Sequence, residues 1–560
     1  MKSSKVLWSG LSLLSVLAMA SCDRHDDAGT SPGTSGSAGS GNAAGAVSGG
    51  SGGSTVGGAA GTAGASNGGG GTSTGGTSPT EGGAGGVNEG GGPGAGGGGE
   101  VPAECGDPSR DGVLVFQDIT AETTWSCPVY TLTQPIYVHS TSDVRTVLHI
   151  EPGVTVRGLK GKEPIKLPGA LIVTRTGRLD AVGEPDQPIT FTTAEPPADR
   201  GPGAWGGLVL LGRAPVNAPA NFEDGGLPAG EVYAEALPKS ELGVYGSAPD
   251  AVGGAGGSGG AAPEEPEPAD WDCGTLKYVR VFFAGFKAGS TKELNGITLA
   301  GCGTKTSLDY VQVHRSSDDG IEVFGGAPNL SHLVLTGNQD DQFDWDQGFR
   351  GKAQFVAIQV YDDADTADSC GIEADGYATP TAPAGLPSAP RIWNLTLKAS
   401  KVTQRGIRFR DGTQGFVGNA VLTSHAEGVP KGLIDIDLPL TADYLVAGTL
   451  AVRNTVLRGV WPTSGQADTQ GTVILEQDYF TGSGPGAAGN TAVTTASELW
   501  VDPFNIAAPD WVPLAASAAA EGGVAPSDVD GSSFFDTTAT YRGAFAPGGL
   551  DWTVGWASYP

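Results

Sequence analysis

Two pairs of adjacent carboxylates, Asp318-Asp319 and Asp340-Asp341, stand 22 residues apart, and a third pair, Asp362-Asp363, repeats the step. Close carboxylates can exchange protons with a substrate, hold a hard cation such as Ca²⁺, or bond backbone amides in a turn. More acids recur in a pattern around them. Ile321-Glu322-Val323-Phe324 reappears as Phe343-Asp344-Trp345-Asp346, Ile372-Glu373-Ala374-Asp375 and Ile407-Arg408-Phe409-Arg410, with a weaker copy at Ile434-Asp435-Ile436-Asp437. The intervals are 22, 29, 35 and 27 residues. Only an architecture that stacks these copies would turn the recurring acids into a site.

A base of about 22 residues with insertions suits one three-strand coil of a right-handed, single-stranded parallel β-helix, whereas propeller blades repeat at about 40. The fold class is therefore all-β, a solenoid. Runs such as Val113-Leu114-Val115-Phe116, Tyr278-Val279-Arg280-Val281-Phe282-Phe283 and Phe355-Val356-Ala357-Ile358 read as its strands. Alternation sends Ile321, Val323, Phe343, Trp345, Ile372, Ala374, Ile407, Phe409, Ile434 and Ile436 inward. Two columns face outward: Glu322, Asp344, Glu373, Arg408 and Asp435, and beside them Phe324, Asp346, Asp375, Arg410 and Asp437. Carboxylates one coil (~4.8 Å) apart repel by about 0.9 kcal/mol in water and about 3.5 kcal/mol at an effective dielectric of 20. An open face tolerates that. A covered face needs Arg408 and Arg410 or a cation, for which Glu322, Asp344, Asp346, Glu373 and Asp375 are the expected Ca²⁺ ligands.

The chain has 560 residues, 93 of them glycine, and 61 acidic against 32 basic residues give a formal charge of -29. That balance excludes a nucleic-acid partner, since phosphate contacts need clustered Lys and Arg. Glycine concentrates at the front. Between Gly29 and Glu100 there is no Lys, Arg or aromatic residue, and such a segment cannot offset the entropy of ordering. Residues 22–104 are thus expected to be a disordered Gly/Ser/Ala tether, whose Gly29–Glu100 stretch reaches about 45–50 Å, and 105–560 the β-helix, with a low-complexity loop inserted at 247–270. Ahead of the tether, residues 1–21 have the basic start and apolar run of a signal peptide. Ala20-Ser21-Cys22 resembles the lipobox of bacterial lipoproteins, which implies a lipid on Cys22 and a membrane as partner. Asp23 resembles the inner-membrane retention signal of some Gram-negative bacteria. The expected address is the cell envelope, with the outer membrane or cell surface favoured over the periplasmic face of the inner membrane.

Longer motifs carry a wider likeness. Trp205-Gly206-Gly207-Leu208-Val209-Leu210-Leu211-Gly212-Arg213-Ala214-Pro215-Val216-Asn217, Glu293-Leu294-Asn295-Gly296-Ile297-Thr298-Leu299, Asp318-Asp319-Gly320-Ile321-Glu322-Val323-Phe324-Gly325-Gly326 and Asp344-Trp345-Asp346-Gln347-Gly348-Phe349-Arg350-Gly351 together resemble a family of bacterial exported lipoproteins expected to be parallel β-helices. That resemblance implies the fold and an envelope address, with no reaction attached. Asp318, Asp319, Asp340 and Asp341 are also similar to the paired-Asp motif of polygalacturonases, whose carboxylates activate water and protonate the leaving oxygen. The Gly-His-Gly turn and Arg-x-Lys of those enzymes are missing; His425 is the only later histidine, in a loop. A pectate-lyase-like scheme casts Glu373 and Asp375 as Ca²⁺ ligands and Arg408 as base. Against both, Asp-Asp-Gly is an ordinary turn sequence at a coil corner.

No Walker A loop, Cys-x-x-Cys pair or His-Glu-x-x-His motif occurs. Export permits disulfides; Cys105–Cys127 would staple the first coil and Cys273–Cys302 the coil carrying the insertion, leaving Cys370 as a buried thiol. The expectation is an envelope lipoprotein acting as a non-catalytic binding or structural β-helix toward glycans or envelope components. The alternative is a polysaccharide lyase or glycoside hydrolase working through the stacked acids.

Overall fold

Short β-branched runs separated by Gly, Asp and Asn cannot close hairpins across such spacings, and they pair instead with their equivalents one coil away. The computed structural model describes residues 103–162, 167–222, 225–247, 268–287, 293–364, 368–379, 385–482, 484–528 and 531–560. The signal segment, Cys22, the tether up to Pro102 and residues 248–267 of the insertion lie outside the described residues.

Nine short strands form one parallel sheet in strict chain order: Pro135–Val138, Ala170–Val173, Leu208–Leu211, Ile297–Ala300, Ile321–Phe324, Phe343–Asp346, Cys370–Asp375, Arg405–Arg410 and Gly432–Ile436. A second, 17-stranded sheet contains the long strands Gly274–Phe282, Ser307–His314, Asn329–Thr336, Lys352–Gln359 and Arg391–Ala399. The solenoid is the alternation between the two. Ile321 pairs with Phe343, Phe343 with Ile372, Ile372 with Ile407 and Ile407 with Ile434, so the sequence copies are register partners. Their inward side chains are buried in a single apolar column with Leu308, Leu330 and Ala353.

Each long strand bends once. At Tyr278, Tyr310, His332, Phe355 and Asn394 the backbone enters the left-handed region, with φ of 49°, 57°, 49°, 60° and 55°. Pairing skips that residue, passing from Lys277–Asp309 to Val279–Val311. Asn419 and Asn454 continue the bend in later coils at φ 50° and 53°. Asparagine suits this conformation; aromatic side chains there are strained by roughly 1–2 kcal/mol each.

The coils end earlier than the sequence suggests. Thr491–Ala492 is the last rung on the large sheet, and the following residues run back along that sheet as a strap. Val524 meets Asn419, Tyr541 meets Asn394, Asp536 meets Gln354 and Ser558 meets Gln312. Cys105 is bonded to Cys127 and Cys273 to Cys302, while Cys370 is a buried free thiol.

Asn419 joins bend and strap, because its Nδ2 donates to Val524 O (2.7 Å) and its Oδ1 accepts from Val524 N (3.0 Å). Asn419→Ala loses these bonds and places a Cβ residue without a compensating side chain at positive φ. In chemical denaturation it is expected to cost about 2–4 kcal/mol, with Asn419→Gly about 1 kcal/mol less damaging. Equal losses for the two would show that backbone strain plays no part.

Candidate functional site

The outer face of the nine-stranded sheet changes character along the solenoid. One register column runs Tyr137, Ile172, Val209, Thr298, Glu322, Asp344, Glu373, Arg408, Asp435. Beside it lie Leu211, Ala300, Phe324 and Asp346, and further on Asp375 opposite Arg410. The face is thus apolar in early coils, acidic in the middle and a mixture of arginine and aspartate at the end.

It is also covered. Residues 213–247 leave the solenoid and lay Val216, Ala218, Val232, Ala234, Leu237 and Tyr245 over Ile172, Val209, Leu211, Ala300 and Phe324. Phe324 therefore points outward but is buried. The cover is pinned beyond the acids: Asn217 Nδ2 donates to Gly376 O (2.8 Å) and Leu386 O (2.9 Å), and the Tyr245 hydroxyl donates to Gln347 Oε1 (2.8 Å). Under and beside it, Glu322 retains 4% of its exposure, Asp344 0%, Glu373 3% and Asp375 3%. Asp346 is only half-buried.

Arginines neutralise one end of this face. Arg410 grips Asp375 with two bonds, Nε to Oδ1 at 2.8 Å and Nη2 to Oδ2 at 2.6 Å. Arg408 donates to Glu373 (2.8 Å), Asp437 (2.7 Å) and Asp368 (3.1 Å). Two expectations change as a result. Glu373 and Asp375 are bound to guanidinium groups, so the five-carboxylate Ca²⁺ set does not converge. Burial disfavours the charge on Arg408, but Glu373 and Asp368 outweigh it and raise its pKa further, which is the wrong direction for a base.

The paired aspartates divide by position. Asp319 and Asp341 each stand two residues before a rung, and each carboxylate accepts a backbone N–H from the next coil: Asp341 N to Asp319 Oδ1 (2.9 Å), and Cys370 N to Asp341 Oδ1. They are coil-to-coil staples. Register puts Cys370, not the third pair, next in line; Asp362 and Asp363 sit on an exposed turn, where Asp363 meets Arg315. Asp318 lies 3.7 Å from Lys287, which also pairs with Glu293 at 3.0 Å, on the hairpin of Phe286–Lys287 and Glu293–Leu294. Oxygens of Glu293, Asp318 and Asp340 lie within 4.8 Å of one another. His425 is away from this set, edge-on to Phe504.

A second convergence is more deeply buried. Asp319, Glu322 and Asp344, all buried, each bring a carboxylate oxygen within 4.8 Å of the others. Asn295 Nδ2 donates to Glu322 Oε2 at 2.6 Å, while Asn295 Oδ1 is buried and accepts no bond among the described residues. Asn295 precedes Ile297 by two residues, as Asp319 precedes Ile321, and those rungs are paired. Alignment of the rungs was the signal for it; its lack of charge hid it.

The family described as "pectate-lyase like beta helix domain" matches residues 117–235 and 265–502, which include every rung of the nine-stranded sheet. None of the curated proteins matches the chain. Among solved structures, the enzymatically active domain of tailspike protein 2 from bacteriophage CBA120 is 10% identical with a TM-score of 0.29, over 65% of this chain and 42% of that one. The Dettilon tailspike protein is 9% identical with a TM-score of 0.27, over 59% of this chain and 53% of that one. The chain thus spans about half or less of the length of these structures.

Burial, then neighbouring carboxylates, raises the pKa of Asp319, Glu322 and Asp344 well above the ordinary range. Without cations the folded chain therefore binds more protons than the unfolded chain once pH passes the unfolded carboxylate pKa of about 4. The stabilisation is complete below that pH and is lost as pH rises through the folded values. In EDTA, the melting temperature is expected to fall between pH 5 and pH 7, and Asp344→Asn to flatten the fall and raise the pH 7 value. A melting temperature that climbs identically for both proteins across that window would contradict this.

Proposed function

Because the chain belongs to the pectate-lyase-like β-helix domain family, we propose that it is an envelope-displayed β-helix that binds glycans or other envelope components without cleaving them. One observation carries the reading: in each aspartate pair the second carboxylate is buried and committed to a backbone amide. Asp341 retains 4% of its exposure and Asp319 6%, and both carboxylates hold amides of the next coil. A polymer must reach both sides of its scissile bond to be hydrolysed, and residues 213–247 cover this face. Lipid on Cys22 and the Gly29–Glu100 tether would display the domain from the outer membrane or cell surface, as the sequence pattern suggests.

Incubation of the mature protein with a polysaccharide panel, with and without Ca²⁺, is expected to give saturable binding to at least one polymer and no new reducing ends or unsaturated products. Cleavage that disappears in Asp340→Asn or Asp341→Asn would overturn the reading.

A structural cation is favoured by the unmatched Asn295 Oδ1 beside three buried carboxylates. Asp319, Glu322, Asp344 and the Asn295 carbonyl form an all-oxygen set suited to Ca²⁺, whose bound charge would offset their mutual repulsion. Binding at a hundred times Kd stabilises a fold by about 2.7 kcal/mol. Ca²⁺ added to the EDTA-treated protein at pH 7 is thus expected to raise the melting temperature by several degrees, with the shift lost in Asp344→Asn. Identical melting curves with EDTA and with Ca²⁺ would remove the cation from this account.

A further inference from the structure

The outer face of the long strands carries a second constellation, remote from the acids in register and built on the strained bends. Where later coils place Asn394, Asn419 and Asn454 in the left-handed position, four earlier ones place Tyr278, Tyr310, His332 and Phe355. Their rings stack into a ladder: Tyr278 on Tyr310 at 4.6 Å, Tyr310 on His332 at 4.1 Å and 3°, His332 on Phe355 at 4.8 Å. Fixing an aromatic rather than an asparagine at positive φ strains the backbone, and such strain persists where the arrangement has a use. Packing of the strap accounts for three rungs, since Trp556 lies edge-on to Tyr278 and Tyr310 and Trp552 edge-on to His332 at 5.1 Å. Beside His332 and Phe355 a cleft of about 540 Å³ remains between bend and strap.

Asp309, His332 and Phe355 line this cleft from the coils, and Asp536, Tyr541 and Trp552 from the strap. Its parts are held in place. Asp309 Oδ1 meets His332 Nδ1 at 2.9 Å and its Oδ2 meets Lys277 at 3.1 Å. The backbone of Asp536 is clamped by Gln354, with N to Oε1 at 2.7 Å and Nε2 to O at 3.1 Å. Trp552 Nε1 donates to Ala544 O at 2.9 Å, which sets the ring. Burial and the Asp536 charge push the Tyr541 phenol up to about 12, so it remains a hydrogen-bond donor.

We propose that this cleft binds a neutral oligosaccharide segment. A sugar ring presents an apolar C–H face and a rim of hydroxyls, and the cleft offers aromatic surface together with carboxylate, phenol and imidazole groups at its edges. Its size is that of ordinary ligand sites. Charge selects the class: Lys277 and His332 both lie against Asp309, and Asp536 adds a negative charge, so a uronate would meet repulsion that a neutral hexose does not. The inference rests on the glycan-binding reading above and gives it a place and a substrate class.

Titration calorimetry of the mature, full-length protein with cellohexaose, maltohexaose, mannohexaose and trigalacturonate tests it. One neutral hexasaccharide is expected to bind saturably and trigalacturonate not at all. Ser307 lines the cleft with its side chain half-exposed, so Ser307→Tyr fills the space from the coil side; Asp536→Ala removes a strap contact. Each is expected to weaken binding by about tenfold; Ser307→Tyr leaves the melting curve unchanged, while Asp536→Ala also loses the bonds that Thr538 N and Oγ1 donate to its carboxylate and melts slightly lower. A neutral ligand whose affinity neither variant alters overturns the cleft and leaves glycan binding elsewhere intact. Binding of trigalacturonate that Ser307→Tyr blocks overturns the substrate class, and no binding by any of the four overturns the cleft, the glycan reading itself then resting on the polysaccharide panel.

Discussion

Rungs of a parallel solenoid lie ~4.8 Å apart, and nearly everything in this protein follows from that distance. A side chain placed at one position of a coil must live beside whatever the next coil places there. For Ile321, Phe343, Ile372, Ile407 and Ile434 the result is a continuous apolar column. Repeating an acid at the neighbouring position brings Glu322, Asp344 and Glu373 together, and each added charge then raises the difficulty of the others. Repeating an aromatic at a bend yields the ladder of Tyr278, Tyr310, His332 and Phe355. Apolar repetition is cooperative. Charged repetition is tolerable only with water, a counter-ion or a proton in reach.

Covering the acidic face removes the first of these remedies. At its late end Arg408 and Arg410 supply counter-charge from the next rung, in a geometry that bonds Glu373 and Asp375 directly. At its early end Val209 and Leu211 leave nothing to neutralise. The stretch between them holds Asp319, Glu322 and Asp344, with Asn295 beside Glu322. Protons and a hard cation are the two remaining remedies, and both would be held under the same cover. This is a different problem from that of a catalytic groove, where carboxylates must face a substrate and exchange protons with it.

The columns were legible in the sequence because alternation and a recurring tetrapeptide report directly on rung register. Insertions of different length did not hide them; the copies at Ile321, Phe343, Ile372, Ile407 and Ile434 pair as their spacing implies. Equal spacing alone was less trustworthy, since Asp362-Asp363 follows Asp340-Asp341 by 22 residues and still sits on an exposed turn, with Cys370 in the register position. What escaped were the parts that do not repeat. Residues 213–247 and the strap follow no coil period, and their apolar side chains pack on faces that alternation alone assigns to solvent. Asn295 shares the position of Asp319 and Asp341 without sharing their charge.

The two outer faces are finished in opposite ways, and the difference bears on where a ligand can act. Over the nine-stranded sheet the cover is apolar and anchored just beyond the acids, at the C-terminal ends of two rungs, by Asn217 to Gly376 and by Tyr245 to Gln347. Removing it would expose Ile172, Val209, Phe324 and Tyr245 together, so opening that face is opposed by the hydrophobic effect as well as by hydrogen bonds. Over the long strands the strap is tied at separated points, Asn419, Asn394, Gln354 and Gln312, with side chains bonding its backbone. Point attachment leaves space between ties, and the cleft lies in one such interval, near the Gln354 tie. On the proposed reading, recognition that spares the fold would take place on the strapped face, and the acidic face would have the structural task of holding like charges together.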